Sequence, residues 1–262
     1  MIRTAALRLI RSVVLGLAFW PPLGLGVLAG ERTSDPEATL LLEQGAGLLR
    51  SSGTIVEYRL EIVRPEWTRT LRFRSHQDYG NNRMRLEVLE PAKVRGTLFL
   101  KLENRLSMYL PKLRREIAVS PAMMHDPWMG SDFNNQDLVE SGALVEDYHH
   151  RILSRETQDG TDIFTIESVP RPDAPVAWGK LIQRVRAGGL PVSLEYFDAQ
   201  GRSVRTLSVL ENGNWGGRTI PSRLRMQPSD ASAQSTEIVV ESVLLDQSLP
   251  EELFGPAPRG ET

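Results

Sequence analysis

Alternation of apolar and polar residues governs the chain from about residue 54 onward. Over 54–63, Val56, Tyr58, Leu60 and Ile62 share one face and Glu57, Arg59 and Glu61 the other, the period of two expected of a half-buried strand. Trp67–Ser75 places Trp67, Arg69, Leu71 and Phe73 together, and Arg83–Leu89 sets Met84, Leu86 and Val88 against Arg83, Arg85 and Glu87. The same reading predicts strands over Gly96–Glu103, Leu106–Leu110, Arg115–Val119, Val145–Thr157, Asp162–Val169, Lys180–Ala187, Val192–Asp198, Ser203–Glu211, Arg218–Met226 and Ser235–Leu245. Turn-forming runs separate them, among them Tyr79-Gly80-Asn81-Asn82, Gln158-Asp159-Gly160, Gly188-Gly189 and Asp198-Ala199-Gln200-Gly201. Strands joined by tight turns imply an antiparallel meander, and so many strands in one sheet should curl into a barrel or an incomplete barrel. The expected fold class is therefore mainly β.

Two segments depart from this rhythm. Before the first strand, Asp35 can cap a helix, Pro36 suits its first turn, and Leu40, Leu41, Leu48 and Leu49 can reach one apolar face before Gly53 ends it. Residues 120–142 form an irregular stretch crowded with Met123, Met124, Trp128, Met129 and Phe133. Asn134 or Asn135 is placed to cap a short helix containing Asp137, Leu138 and Glu140. Loops rich in large apolar residues usually cover something, so these five form a candidate lid. A loop that merely closes one end of the core is the alternative, since methionines also fill core gaps.

The N-terminal residues address the compartment. Arg3, Arg8 and Arg11 precede an apolar stretch from Val13 to Ala29, and Val27-Leu28-Ala29 suits signal-peptidase cleavage after Ala29. The expected division is a signal peptide over 1–29 and one β domain over 30–262, exported to the periplasm. An uncleaved anchor is disfavoured because Pro21, Pro22, Gly24 and Gly26 interrupt a straight helix. The chain has no cysteine, which removes disulfides, thiolate metal sites, thiol nucleophiles and an N-terminal lipid-bearing cysteine.

Charge adds one further point. The formal net charge is −2, and −5 without the three leader arginines, so nucleic acid is not an expected partner. The distribution is uneven. Arg59–Arg115 holds fourteen Lys/Arg against six Asp/Glu, whereas residues 116–262 hold twelve against twenty-two. Such asymmetry can create a face for anionic head groups or an acidic partner. The plainer account is that alternate strand residues face water.

Catalytic patterns are sparse. No serine sits in a Gly-x-Ser-x-Gly turn, and Gly130-Ser131-Asp132 lacks the second glycine. Adjacent His149 and His150 should point to opposite faces of a strand, and His76 and His125 have no ligand spacing around them. Glu195, Asp198, Glu251 and Glu252 are the carboxylates to consider for a glycosidase pair. No catalytic, metal or cofactor-binding residue is assigned.

Three runs carry a family resemblance: Pro91-x-Lys93-x-x-Gly96-Thr97-x-x-Leu100, Tyr109-Leu110-Pro111-x-x-x-Arg115, and Met129-Gly130-Ser131-Asp132-Phe133-x-x-x-Asp137-Leu138. With Tyr196-Phe197-Asp198-x-x-Gly201, Met226 and Leu253-Phe254, the chain resembles the outer-membrane lipoprotein-sorting family, relatives of the LolA and LolB lipoprotein carriers. The resemblance implies a half-open β-barrel wrapped around helices, with an apolar cavity for acyl chains of lipoprotein or lipid and no cofactor. It further implies a periplasmic shuttle, with an inner-membrane transporter of the resistance-nodulation-division (RND) type as a partner and peripheral or transient membrane contact. A non-catalytic adaptor docking on such a transporter is the alternative. On strand alternation the candidate cavity wall comprises Val56, Tyr58, Leu60, Phe73, Met84, Leu86, Leu98, Leu100, Met108 and Leu110.

Overall fold

The computed structural model of the chain describes residues 33–139, 143–174 and 176–255. The proposed cleavage site at Ala29, and Glu140, lie outside them. Helix α1 spans Pro36–Ala46. The Asp35 carboxylate accepts hydrogen bonds from the amides of Glu37 (2.9 Å) and Ala38 (3.3 Å), and Pro36 occupies the first turn, where its missing N–H costs nothing.

The helix ends earlier than its leucines suggest. Gly47 caps it, Leu41 and Leu42 are buried, and Leu40 points to solvent. Leu48 and Leu49 lie beyond the helix and pack beside Val56, Ile220 and Val243. The last turn of the helix makes a close approach: a Cβ on Gly45 would come within 2.6 Å of the Gly189 carbonyl oxygen, and Gly189 itself has φ +83°. Only glycine permits both that spacing and that backbone.

Thirteen strands follow. They are β1 (Thr54–Arg64), β2 (Trp67–Asp78), β3 (Arg83–Glu90), β4 (Leu98–Leu102), β5 (Arg105–Leu110) and β6 (Arg115–Ala118). After an irregular crossing segment with short helices α2 (Asn135–Val139) and α3 (Ala143–Glu146) come β7 (Tyr148–Gln158), β8 (Thr161–Pro170), β9 (Lys180–Arg186) and β10 (Pro191–Phe197). The last three are β11 (Ser203–Trp215), β12 (Arg218–Pro228) and β13 (Ser235–Leu244). All belong to one antiparallel sheet ordered β6-β5-β4-β3-β2-β1-β13-β12-β11-β10-β9-β8-β7. Two meanders, β1–β6 and β7–β13, are thus stitched along the β1–β13 pair, and the sheet is left open at β6 and β7. The expected mainly-β, half-open architecture is what forms.

The turns obey local backbone chemistry. Asn82, Asp159 and Gly160, Gly188 and Gly189, Gly201, and Gly216 and Gly217 all adopt positive φ at hairpins, where Gly, Asn and Asp pay the least. The inner face holds the core. Leu60, Ile62, Leu71, Phe73, Leu86, Val88, Phe99 and Leu106 gather around Trp128. On the β7–β12 side, Tyr148, Trp178, Leu181, Tyr196 and Met226 form a second group, while α1 lays Ala38, Leu41 and Leu42 on Phe164, Ile166 and Val185.

Candidate functional site: a roofed apolar cavity at the seam

A cavity of about 210 Å³ lies between the two halves of the core. Its floor is Tyr58 of β1, Ile238 of β13, Leu207 of β11 and Tyr196 of β10. Its roof is Trp128, Phe133, Asp137, Leu138 and Leu144 from the crossing segment and its helices. Register explains the floor: Leu60 stands opposite Ile238, and Leu207 lies between Leu194 and Met226, so all share the inner face. Burial holds the Tyr58 hydroxyl well above its ordinary pKa, so it stays neutral.

The roof is a turn driven into the core and tied to the sheet. The Trp128 amide bonds to the Phe133 carbonyl at 2.8 Å, and Met129 (φ 52°) and Gly130 (φ 76°) make the reversal. Trp128 then enters the β1–β5 core, 4.9 Å from the ring of Phe73 and 5.8 Å from that of Phe99. Asp132 accepts from Arg64 of β1 (3.1 Å) and from the Thr236 hydroxyl of β13 (2.6 Å). Asp137 receives both ends of the Arg205 guanidinium, at 2.9 and 2.6 Å, and Arg205 also donates to the Asp132 carbonyl at 3.0 Å. That guanidinium is buried, stacked 4.4 Å from Tyr196 and 4.7 Å from Trp178. A bidentate arginine fork on a planar carboxylate fixes orientation as well as charge. α2 begins with a reciprocal cap, Asn134 and Asp137 exchanging bonds of 2.8 and 3.0 Å.

The candidate wall residues are dispersed by this geometry. Tyr58 alone among the ten lines the cavity. Leu60, Phe73, Met84, Leu86 and Met108 pack in the filled core around Trp128, Val56 belongs to the group with Ile220 and Val243, and Leu110 is half-buried at the end of β5. Leu98 and Leu100 depart from expectation, since they lie on the outer face. Phe99 pairs with Leu86 and Lys101 with Met84 on the inner face. Strand β4 is apolar in both phases, and the outer phase is covered by the C-terminal turn Glu251–Phe254, with Phe254 buried and Gly255 lining a small recess with Leu98 and Leu100. Lys101, on the inner face, is buried, and burial lowers its pKa. Of the five lid candidates, all pack against the core, and Trp128 and Phe133 line the cavity. Leu207, Ile238 and Tyr196 were missed because they come from strands distant in sequence.

Ser131, His150, Asp198 and Glu251 have structural partners. Ser131 is buried and donates to the Trp128 carbonyl at 2.7 Å. His150 meets Ser168 at 2.8 Å, but both are sealed from solvent, with Gln183 on the serine (2.9 Å) and the Val145 carbonyl on the other ring nitrogen (2.9 Å). Asp198 accepts from turn amides and Arg202, and Glu251 pairs with Arg83. Both carboxyls are held below their ordinary range by these donors, the reverse of what a general acid needs. Among the described residues no three His, Cys, Asp or Glu side chains are grouped to hold a metal ion.

Comparison with known proteins follows the same lines. A family model described as "Uncharacterized protein" and "-like" matches residues 80–257, more than half of the chain. Comparison with curated proteins gives no match. Among solved structures, a DUF1329 family protein from Desulfovibrio piger ATCC 29098 is similar at TM-score 0.74 and 20% identity, over 85% of this chain and 98% of that one. An outer membrane lipoprotein-sorting protein domain from Vibrio parahaemolyticus is similar at TM-score 0.72 and 21% identity, over 83% and 96%. A LolA superfamily protein from Nitrosomonas europaea is similar at 0.70 and 21%, over 84% and 97%. The half-open sheet, its roofed inner face and the match over residues 80–257 lead to one assignment: the chain belongs to the family of that model and has the fold of the LolA superfamily.

Proposed function

We propose that the chain is a periplasmic carrier that takes lipid, or the acyl chains of a lipid-modified protein, into the cavity beneath the crossing segment and shuttles them across the envelope. The observation that carries this reading is the apolar space at the β1–β13 seam, roofed by side chains of the crossing segment. The fold shared with a lipoprotein-sorting domain and a LolA superfamily protein supports it.

Magnitudes shape the mechanism. At about 210 Å³ the cavity falls below the ~300–1,000 Å³ of typical small-molecule sites, so it admits a short apolar segment, and longer chains require the roof to lift. Exposing Trp128, Phe133 and Leu138 costs roughly 1.5–3 kcal/mol each. A 14-carbon chain returns about 10 kcal/mol at ~0.8 per methylene, less the cost of ordering. One chain roughly offsets the lifting of the roof, and two exceed it. Arg64 and Arg205 would act as latches, since their ion pairs with Asp132 and Asp137 must open first.

A second reading is a non-catalytic adaptor docking on an envelope transporter of the RND type, favoured by the filled core around Trp128 that absorbs most of the candidate wall. Fluorescent fatty-acid binding to delipidated protein, with native mass spectrometry of protein taken from the periplasm, separates the two. The carrier predicts saturable binding and co-purifying lipid, with Leu207→Asp weakening binding at least tenfold. A bare mass and no probe binding by the folded wild type would leave the adaptor.

A further inference from the structure

Most of the basic residues in Arg59–Arg115 fall into two populations. Across the outer face of β1–β3, Arg59 pairs with Glu61, Arg72 with Glu241 (2.8 Å), and Arg74 with Glu57 (2.6 Å). At the far end of β3, Arg83 pairs with Asp78 (2.6 Å) and Glu251, and Arg85 donates to the Leu253 carbonyl. Those arginines are committed to the fold.

The second population sits at the opposite end of the same half. Antiparallel order brings three connections to one end of the sheet: the β1–β2 tip, the β3–β4 loop over 91–97 and the β5–β6 turn over 111–114. The last two touch, for a Cβ on Gly96 would lie 3.6 Å from the Pro111 ring. Strand spacing puts the first and third tips about 19 Å apart. Arg69, Lys93, Arg95, Lys112, Arg114 and Arg115 are all exposed here, and none is joined to a carboxylate. Glu66 and Glu116 are the exposed acids beside them, and Glu90 is taken by Arg72. The loops at the same end of β7–β13 carry Arg171 and Arg202 against Asp173, Asp198 and Asp230, with Arg202 clasped by Asp198. The basic edge is therefore confined to the first half.

Two large apolar side chains stand on that edge. Trp67 is 47% exposed, with the Arg64 and Arg69 guanidinium carbons 5.8 and 5.6 Å from its ring, and Leu113 at the turn apex is 61% exposed. An acidic protein would be met by charge alone. Tryptophan and leucine projecting among lysines and arginines suit the boundary between head groups and acyl chains.

We propose that these three hairpin tips form a docking edge for an anionic phospholipid bilayer, with Trp67 and Leu113 entering the interface and the six basic residues meeting phosphates. The edge is separate from the cavity, so its failure leaves the carrier reading untouched. Trp67 lies on the inner-face side, next to the Met129–Gly130 turn that Arg69 contacts, so docking would present the mouth of the sheet to the membrane.

The test is flotation of the full exported chain with vesicles of phosphatidylcholine alone and of phosphatidylcholine mixed with phosphatidylglycerol. Binding is expected to the mixed vesicles only, and Arg114→Glu or Lys112→Glu should each lower affinity about fivefold or more. Trp67→Ser and Leu113→Ser should weaken it further without changing its salt dependence. Arg105→Glu, an exposed arginine at the other end of the same half, should leave it unchanged. No binding, equal binding to both vesicles, or an equal loss from Arg105→Glu overturns the proposal; the first of these is also the result expected of an acidic protein partner.

Discussion

Arg205 shows how one side chain can hold a tertiary arrangement. It reaches from β11 to α2, satisfies both oxygens of Asp137, and lies against two aromatic rings with its Nε buried and without a partner. Removing one member of a buried pair strands the other. Arg205→Met is expected to cost about 3–5 kcal/mol in urea unfolding, and Arg205→Met/Asp137→Leu to recover much of that. His150 gives the pH counterpart. Burial is the main cause that lowers its pKa, helped by Arg171 and His149, against the raising effects of the Val145 carbonyl and Glu43. His76 is lowered likewise, by burial and then by Arg74 and Arg85. A depressed histidine means the unfolded chain takes the proton first. Its contribution is whole above about pH 6.5 and is lost as pH falls towards the folded-state value. The thermal midpoint should therefore drop between pH 7 and pH 5, and His150→Gln should flatten that slope.

At the scale of elements, the decisive piece is the crossing segment between β6 and β7. Its Trp-Met-Gly-Ser-Asp-Phe turn supplies a wedge in Trp128, a latch in Asp132 and, one helical cap later, a second latch in Asp137. Loosening a latch should raise local opening without unfolding the sheet. Asp132→Asn is expected to speed amide exchange over 128–139 and quicken probe entry while the cores exchange as before. Strand phase gives a second contrast. Leu100→Ser, on the outer face, should leave fatty-acid affinity within twofold, whereas Leu207→Asp, on the floor, should reduce it at least tenfold. Equal effects would mean that β4 contributes to the site after all.

For the whole molecule, the open sheet would keep the two proposed tasks apart. The seam between the meanders leaves a space for an apolar guest, and the free hairpin ends of the first meander gather unpaired cations that a closed barrel would distribute around a rim. Because those cations are solvent-exposed, attraction to anionic vesicles should weaken steeply as the Debye length shrinks from about 30 Å at 0.01 M to about 8 Å at 0.15 M salt. Binding that ignores salt would assign the contact to Trp67 and Leu113 alone.

The sequence by itself determined the strands, their turns and the irregular roof, because alternation with period two and glycine- or asparagine-bearing turns are local properties of the backbone. It also marked Trp128 and Phe133 among five large apolar residues in an irregular loop, and Tyr58 as one of ten on a strand face. Only the tertiary structure decided which strands meet. The β1–β13 pairing joins residues almost two hundred positions apart, and it is this pairing that sets Ile238 beside Tyr58. Leu98 and Leu100 lie outside the expected wall because β4 is apolar on both phases, so alternation alone does not say which phase faces in. Burial of Lys101 on the inner face depends on neighbours, and cover of Leu98 and Leu100 on the outer face on a C-terminal turn, that no local pattern encodes. The same holds for charge: fourteen basic residues in one stretch are plain to read, but which of them are neutralised is settled by cross-strand register, since an arginine finds its glutamate through the sheet and not along the chain.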